Sequence, residues 1–133
     1  MKQVRYLFDT HALVFWSSQT TVSPAFIQFF DQQNQQGTLY VSAISFWEIA
    51  LLAQKKRLAI PDVQAWQAEL LQHTKLHLLD PTVTEMIAST LLPPHHKDPF
   101  DRLLIVQAQQ HELTLVTQDQ IIPQYAVATY WVP

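Results

Sequence analysis

The 133-residue chain has no cysteine, a single glycine, few charged side chains and no long apolar run. Without cysteine, disulfides and thiolate metal sites are excluded, which fits a reducing cytoplasm. Charged residues make up 14% of the chain, against about a quarter in an ordinary soluble protein. That scarcity makes the place of each carboxylate informative. The net charge of −3 does not announce a nucleic-acid binder, so any such role must rest on a local site. No stretch approaches the roughly 20 apolar residues that cross a bilayer. The first eight residues carry two basic side chains, but no apolar core or cleavage-like site of the kind a signal peptide has. The expectation is a cytoplasmic protein with no membrane association, in which residues 1–133 form one domain. What the chain does have is apolar mass, 48% of its residues, enough for a sizeable core.

The local signals alternate. Residues 4–8 form a short β-prone run, followed at once by Asp9 and a helical stretch over 10–16. Ser23-Pro24 is a capping hydroxyl followed by proline at the first helical position, and it opens a helix through Phe26, Ile27, Phe29 and Phe30. That helix ends in a Gln-rich turn at Gly37. Residues 38–41 read as a second strand, with Ser42 capping a helix that frays near Lys55, Lys56 and Arg57. Pro61-Asp62 starts another helix, with Val63, Trp66, Leu70 and Leu71 as its apolar stripe. Residues 76–79 read as a strand, and Asp80-Pro81 as the start of a helix to Leu91. After the loop 93–97, Asp98-Pro99 begins a helix through Leu103, Leu104, Ile105 and Ala108. Strands over 113–116 and 127–131 complete the pattern. Strands alternating with helices imply an α/β sandwich with a largely parallel sheet. In such folds ligands gather beyond the carboxyl ends of the strands.

Several of the eleven acids stand where that rule points. Asp9 and Asp119 each follow a strand, where either a turn or cap role or a site role suits them. Glu48 lies among Ile44, Ser45, Leu51 and Leu52 at helical spacing, and a carboxylate beside an apolar stripe needs a partner or a metal. Asp98 is well placed to cap a helix, and Asp101 stands in the first turn, where an acid favours the helix dipole. The two also share one face near that helix end. Asp9, Glu48, Asp101 and Asp119 can converge at one end of a parallel sheet, with Glu48 and Asp101 expected in the first turns of their helices. Clustered carboxylates repel, and a divalent cation resolves the conflict. An oxygen-rich, cysteine-free site suits Mg²⁺ or Mn²⁺.

Four blocks of the chain resemble the PIN-domain family, and its VapC-like toxin branch most closely. They are Leu7-Phe8-Asp9-Thr10-His11-Ala12-Leu13, Val41-Ser42-Ala43-Ile44-Ser45-Phe46-Trp47-Glu48-Ile49, His96-Lys97-Asp98-Pro99-Phe100-Asp101-Arg102-Leu103-Leu104-Ile105 and Leu115-Val116-Thr117-Gln118-Asp119. The resemblance implies a three-layer sandwich whose central, mostly parallel sheet has four or five strands flanked by helices. It implies an endoribonuclease in which Asp9, Glu48, Asp101 and Asp119 bind one or two Mg²⁺ or Mn²⁺ ions, leaving a 5′ phosphate and a 3′ hydroxyl. Asp98 matches a further acid of that branch, as metal ligand or helix cap. A homodimer and a cognate antitoxin protein are implied as partners, with RNA as substrate.

Other residues carry two readings each. Thr10 and Thr117 either orient the acids or bond their own turns. Arg102 either holds a substrate phosphate or pairs with a nearby carboxylate. His95 and His96 either touch phosphate or bind metal or are simply solvated, and in a Pro-rich loop with no third histidine at ligand spacing they read as solvated. Lys55, Lys56 and Arg57 read as a solvated helix end, and Trp16, Trp47, Trp66 and Trp131 mostly as core. Two rival functions stand beside the ribonuclease: a DNA or structure-selective nuclease of the same fold, and a non-catalytic binding domain that keeps its acids for stability.

Overall fold

Tyr6, Leu7 and Phe8 are all buried, and they form the middle strand of the sheet, β1 (Tyr6–Phe8). The computed structural model describes residues 3–133. The chain continues through α1 (Thr10–Ser18), α2 (Pro24–Gln36), β2 (Leu39–Ser42), α3 (Ala43–Gln54), α4 (Val63–His73) and β3 (His77–Leu79). It then runs through α5 (Val83–Thr90), α6 (Pro99–Gln110), β4 (Thr114–Val116), a 3₁₀ turn (Ile122–Gln124) and β5 (Thr129–Tyr130). The five strands lie in the order β3-β2-β1-β4-β5, and every pairing is parallel. The expected α/β sandwich is therefore present, with a sheet that is wholly parallel.

Alternation along β1 sorts the core into two layers. Tyr6 and Phe8 face one cluster with Leu13, Trp16, Phe26, Phe30 and Ile49, and α4 packs against it through Trp66 and Leu70. Leu7 faces the other, with Leu104, Ile105, Leu115 and Ile122. Aromatic rings fill the first layer: Phe8 lies 5.1 Å from Phe30 and 5.5 Å from Trp16 between centroids. Thus β1 is held from both faces, and its carboxyl end is a rigid platform. The chain moves outward from β1 through β2 to β3, then returns to β4 on the opposite flank. The order reverses between β1 and β4, and crevices in parallel sheets open at such a point.

Local chemistry sets the element ends. Ser23 caps α2 by accepting from the Phe26 N–H, with Pro24 in the first turn. Gly37 closes that helix at φ 73°, a conformation glycine adopts at little cost. One helix start differs from expectation. Asp80-Pro81 does not open α5; Thr82 does, accepting from the Glu85 N–H at 3.1 Å while Glu85 accepts from the Thr82 N–H at 2.9 Å. That reciprocal capping box satisfies two helix-end donors together and outcompetes the earlier cap-plus-proline pair. Trp47 also departs from expectation, being 59% exposed. Ser45 and Ile49 point inward from α3, and a residue midway between them faces the other way.

Phe30 joins α2 to the central strand and is fully buried. Phe30→Ala is expected to cost about 3–5 kcal/mol, read in urea as a lower midpoint at unchanged slope. A loss under about 1 kcal/mol would show that this layer does not anchor β1.

Candidate active site

Two strand ends build the floor of the site. Asp9 leaves β1 with its N–H donating to Val116 O at 3.0 Å, which ties the ends of β1 and β4 together. Its Oδ1 then accepts from the Ala12 N–H at 2.7 Å and caps α1. Next in the chain, the Thr10 hydroxyl donates to Ser45 Oγ at 3.1 Å and so links α1 to α3. Glu48 lies one turn further along α3, in its second turn rather than the first. Beyond β4, the Thr117 hydroxyl hydrogen-bonds the Asp9 carboxyl and accepts from the Asp119 N–H at 3.1 Å. Asp119 Oδ1 accepts from the N–H groups of Ile121 and Ile122 at 2.7 and 3.3 Å. On the third side, Asp98 caps α6 by accepting from the Phe100 N–H at 2.9 Å, and Asp101 follows in the first turn.

These segments enclose a cavity of about 410 Å³ lined by Asp9, His11, Phe15, His96, Asp98, Asp101, Gln118 and Asp119. Glu48 does not line it. Its Oε1 is buried without a hydrogen-bond partner, and its charge still acts on Asp9 and Asp101. Cap and site roles prove compatible. Asp9, Asp98 and Asp119 each commit Oδ1 to backbone N–H groups, which leaves a second oxygen outside the cap.

The electrostatics follow from burial and like charge. Burial raises the Asp9 carboxyl above its ordinary value, with Glu48 adding to the rise against hydrogen bonds from Thr117 and Ala12. Burial likewise raises Glu48, with Asp98 adding and the Thr10 hydroxyl opposing. Asp101 is pushed up to about 8 by burial first, then by Asp98, Asp9, Glu48 and Asp119. Asp119 moves the other way: burial works to raise it, but the hydrogen bonds from His96, Ile121 and Ile122 bring it below its ordinary value. Among the described residues no lysine or arginine is paired with any of these five acids. Oxygen donors, mutual repulsion and an orphaned buried oxygen are together what a hard divalent cation would satisfy.

Arg102 takes neither expected role. Its Nε donates to Ser89 O at 3.1 Å, Nη1 to Pro93 O and His96 O at 3.0 Å each, and Nη2 to Leu92 O at 2.9 Å. A guanidinium engaged on all three nitrogens holds the 92–96 loop instead of meeting a phosphate or a carboxylate. His96, read from the sequence as solvated, stands in the site: its Nε2 is 3.0 Å from Asp119 Oδ2 and 3.1 Å from Asp101 Oδ2. Looking for a third histidine missed it, because its partners are carboxylates. The usable signal was its position two residues before a helix-capping aspartate. His95 turns away, edge-on to Tyr125 at 5.1 Å. Lys55, Lys56 and Arg57 are exposed, as read from the sequence.

The family model described as the PIN domain matches residues 6–128. This chain belongs to the PIN-domain family. It is 35% identical over 117 residues to a curated relative named Ribonuclease VapC22 from Mycobacterium tuberculosis, with 86% of each chain covered. PIN folds of similar shape have been solved in complexes. One is VapBC2 from Rickettsia felis bound to a DNA fragment from its promoter, at TM-score 0.72 and 15% identity, covering 96% of this chain and 98% of that one. Another is a toxin–antitoxin complex from Klebsiella pneumoniae, at TM-score 0.64 and 19% identity, covering 96% and 99%. Their likeness to this PIN chain is one of fold.

A carboxyl raised on folding favours the folded state at pH below its unfolded value of 3.8 and loses that contribution as pH rises toward about 8. The metal-free protein is therefore expected to lose stability between about pH 4 and pH 8. Asp101→Asn should flatten that decline and stabilise the protein at pH 8, on the order of a few kcal/mol at about 1.4 kcal/mol per tenfold change in proton affinity. Thermal melts across this range check it, and an unchanged slope in the variant contradicts the assignment.

Proposed function

We propose that this protein is a Mg²⁺- or Mn²⁺-dependent endoribonuclease, the toxin of a toxin–antitoxin pair. The observation that carries the reading is a cavity lined by Asp9, Asp98, Asp101 and Asp119, with the charge of the buried Glu48 acting on Asp9 and Asp101 from beside it, and with no lysine or arginine paired with these acids among the described residues. The relative named a ribonuclease, which is 35% identical to this chain over 117 residues, supports RNA as the substrate. The toxin–antitoxin complexes of like fold support an antitoxin protein as partner. On this reading the protein acts in the cytoplasm, where its RNA substrate lies. Among the described residues no helix is long and apolar enough to cross a membrane.

Asp9, Glu48, Asp101 and Asp119 would hold the cation. When bound, it supplies a Lewis acid that polarises the phosphodiester and lowers the pKa of the attacking water. The chain's own residues do the rest. Thr117 hydrogen-bonds Asp9 and fixes the Asp119 amide, and Thr10 ties α1 to α3 beside Glu48. Asp98 fixes the start of α6 and so the place of Asp101. A bound cation would favour the ionised form of Asp101, whose single proton would leave to solvent.

A homodimer belongs to the same reading. Val83, Ile87 and Leu91, along and just after α5, are 68%, 58% and 79% exposed, an apolar surface that a second copy would cover. Light scattering at micromolar concentration is expected to give the dimer mass, and a monomer would count against it.

Asp9→Asn and Asp101→Asn are each expected to lower metal-dependent cleavage of single-stranded RNA by more than about 100-fold, beyond the ~10- to 100-fold typical of residues that only support a ligand. Circular dichroism should stay unchanged. Full activity in both variants overturns the proposal, and cleavage of DNA in preference to RNA turns it toward the rival nuclease.

A further inference from the structure

His96 looks like a metal ligand, yet its hydrogen bonds argue otherwise. Its Nε2 and carboxylate oxygens of Asp101 and Asp119 all lie within 4.8 Å of one another, a grouping that could hold a cation. The other ring nitrogen decides the matter. The Asp98 backbone N–H donates to His96 Nδ1 at 3.1 Å. A backbone amide can only donate, so Nδ1 presents a lone pair and the ring proton sits on Nε2. A histidine that binds metal through Nε2 has the opposite arrangement: it carries its proton on Nδ1 and gives it to a carbonyl or carboxylate. A doubly protonated ring fits no better, because a proton on Nδ1 would face the Asp98 N–H.

We infer that His96 is a positioning residue: the Asp98 amide locks its ring in the Nε2–H form, and that N–H holds Asp119 beside Asp101 without itself taking the cation. The hydrogen bond runs to Asp119 Oδ2 at 3.0 Å, and Asp101 Oδ2 lies 3.1 Å from the same nitrogen. Asp119 is thereby gripped at both oxygens, since its Oδ1 already accepts from Ile121 and Ile122.

The ring is itself firmly mounted. The His96 backbone N–H donates to Tyr125 Oη at 2.8 Å, and that hydroxyl donates to Pro93 O at 2.6 Å. Arg102 takes the carbonyls of Leu92, Pro93 and His96. Asp98, whose amide sets the tautomer, is fixed by its own capping bond to Phe100. Arg102, Tyr125 and Asp98 thus place one N–H group between two site acids. The loop that carries it contains the two prolines and two histidines that looked inert in the sequence.

For its effect on metal binding the inference rests on the nuclease reading, but the state of the ring does not. Nitrogen-15 NMR of histidine-labelled, metal-free protein, with His96 assigned from its absence in His96→Gln, should show Nε2 protonated and Nδ1 bare. The opposite tautomer overturns the inference and leaves the nuclease reading standing. In the wild-type protein loaded with Mn²⁺, pulsed electron paramagnetic resonance should show no directly bound nitrogen. A strong nitrogen coupling that disappears in His96→Gln overturns the inference as well. Glutamine offers an N–H at a similar reach, so His96→Gln should keep Mn²⁺ affinity within about threefold, whereas His96→Ala should weaken it by about 10- to 100-fold. Equal losses in the two variants contradict a donor role. If wild-type protein binds no Mn²⁺ at all, the nuclease reading fails, and the metal-free spectrum still decides the ring.

Discussion

Carboxylates that fold together repel one another, and the geometry of this protein turns on that repulsion. Asp9, Glu48, Asp98, Asp101 and Asp119 come from four separate blocks of the chain and act on one another's ionisation. Such an arrangement is costly for the fold and persists only where the scaffold leaves it no escape. Here the scaffold is stiff. The strand that carries Asp9 is wholly buried and sits between two others, and its end is bonded to the end of β4. The Asp101 carboxyl, pushed up to about 8 by burial first and by its acidic neighbours second, reflects that cost.

Three of these acids also hold local structure, which explains how their clustering is tolerated. Asp9 and Asp98 are helix caps and Asp119 closes a turn, each through a single oxygen. Capping typically contributes about 1 kcal/mol, so local structure gains from acids whose collective charge works against it. Each cap or turn uses one oxygen, so capping does not exclude a ligand role for the other. Arg102 shows the converse. The arginine beside Asp101 is spent on the carbonyls of Ser89, Leu92, Pro93 and His96, and among the described residues no lysine or arginine is paired with the acids.

Much of this was legible in the chain. Alternating strand and helix signals led to a parallel sheet, and the acids at 9, 48, 98, 101 and 119 could be placed near strand ends or helix starts. That works because caps, prolines and apolar periodicity act locally. What escaped was non-local. The reach of Arg102 to Ser89 and Leu92, and the ring of His96 between two carboxylates, depend on how the 92–98 loop folds back on itself, which no spacing records. Trp47 faces outward because Ser45 and Ile49 claim the inward side of α3. An apolar helix does not reveal which of its faces the sheet will take. The start of α5 moved because a reciprocal pair outranks a single cap.

The central claim is that these acids share one cation, and proton release tests it most directly. Calorimetric titration with Mg²⁺ or Mn²⁺ at pH 7, repeated in buffers of different ionisation enthalpy, counts the protons expelled on binding. With Asp101 raised to about 8, binding should release about one proton. Binding that releases none, or no binding at all, would contradict the shared site.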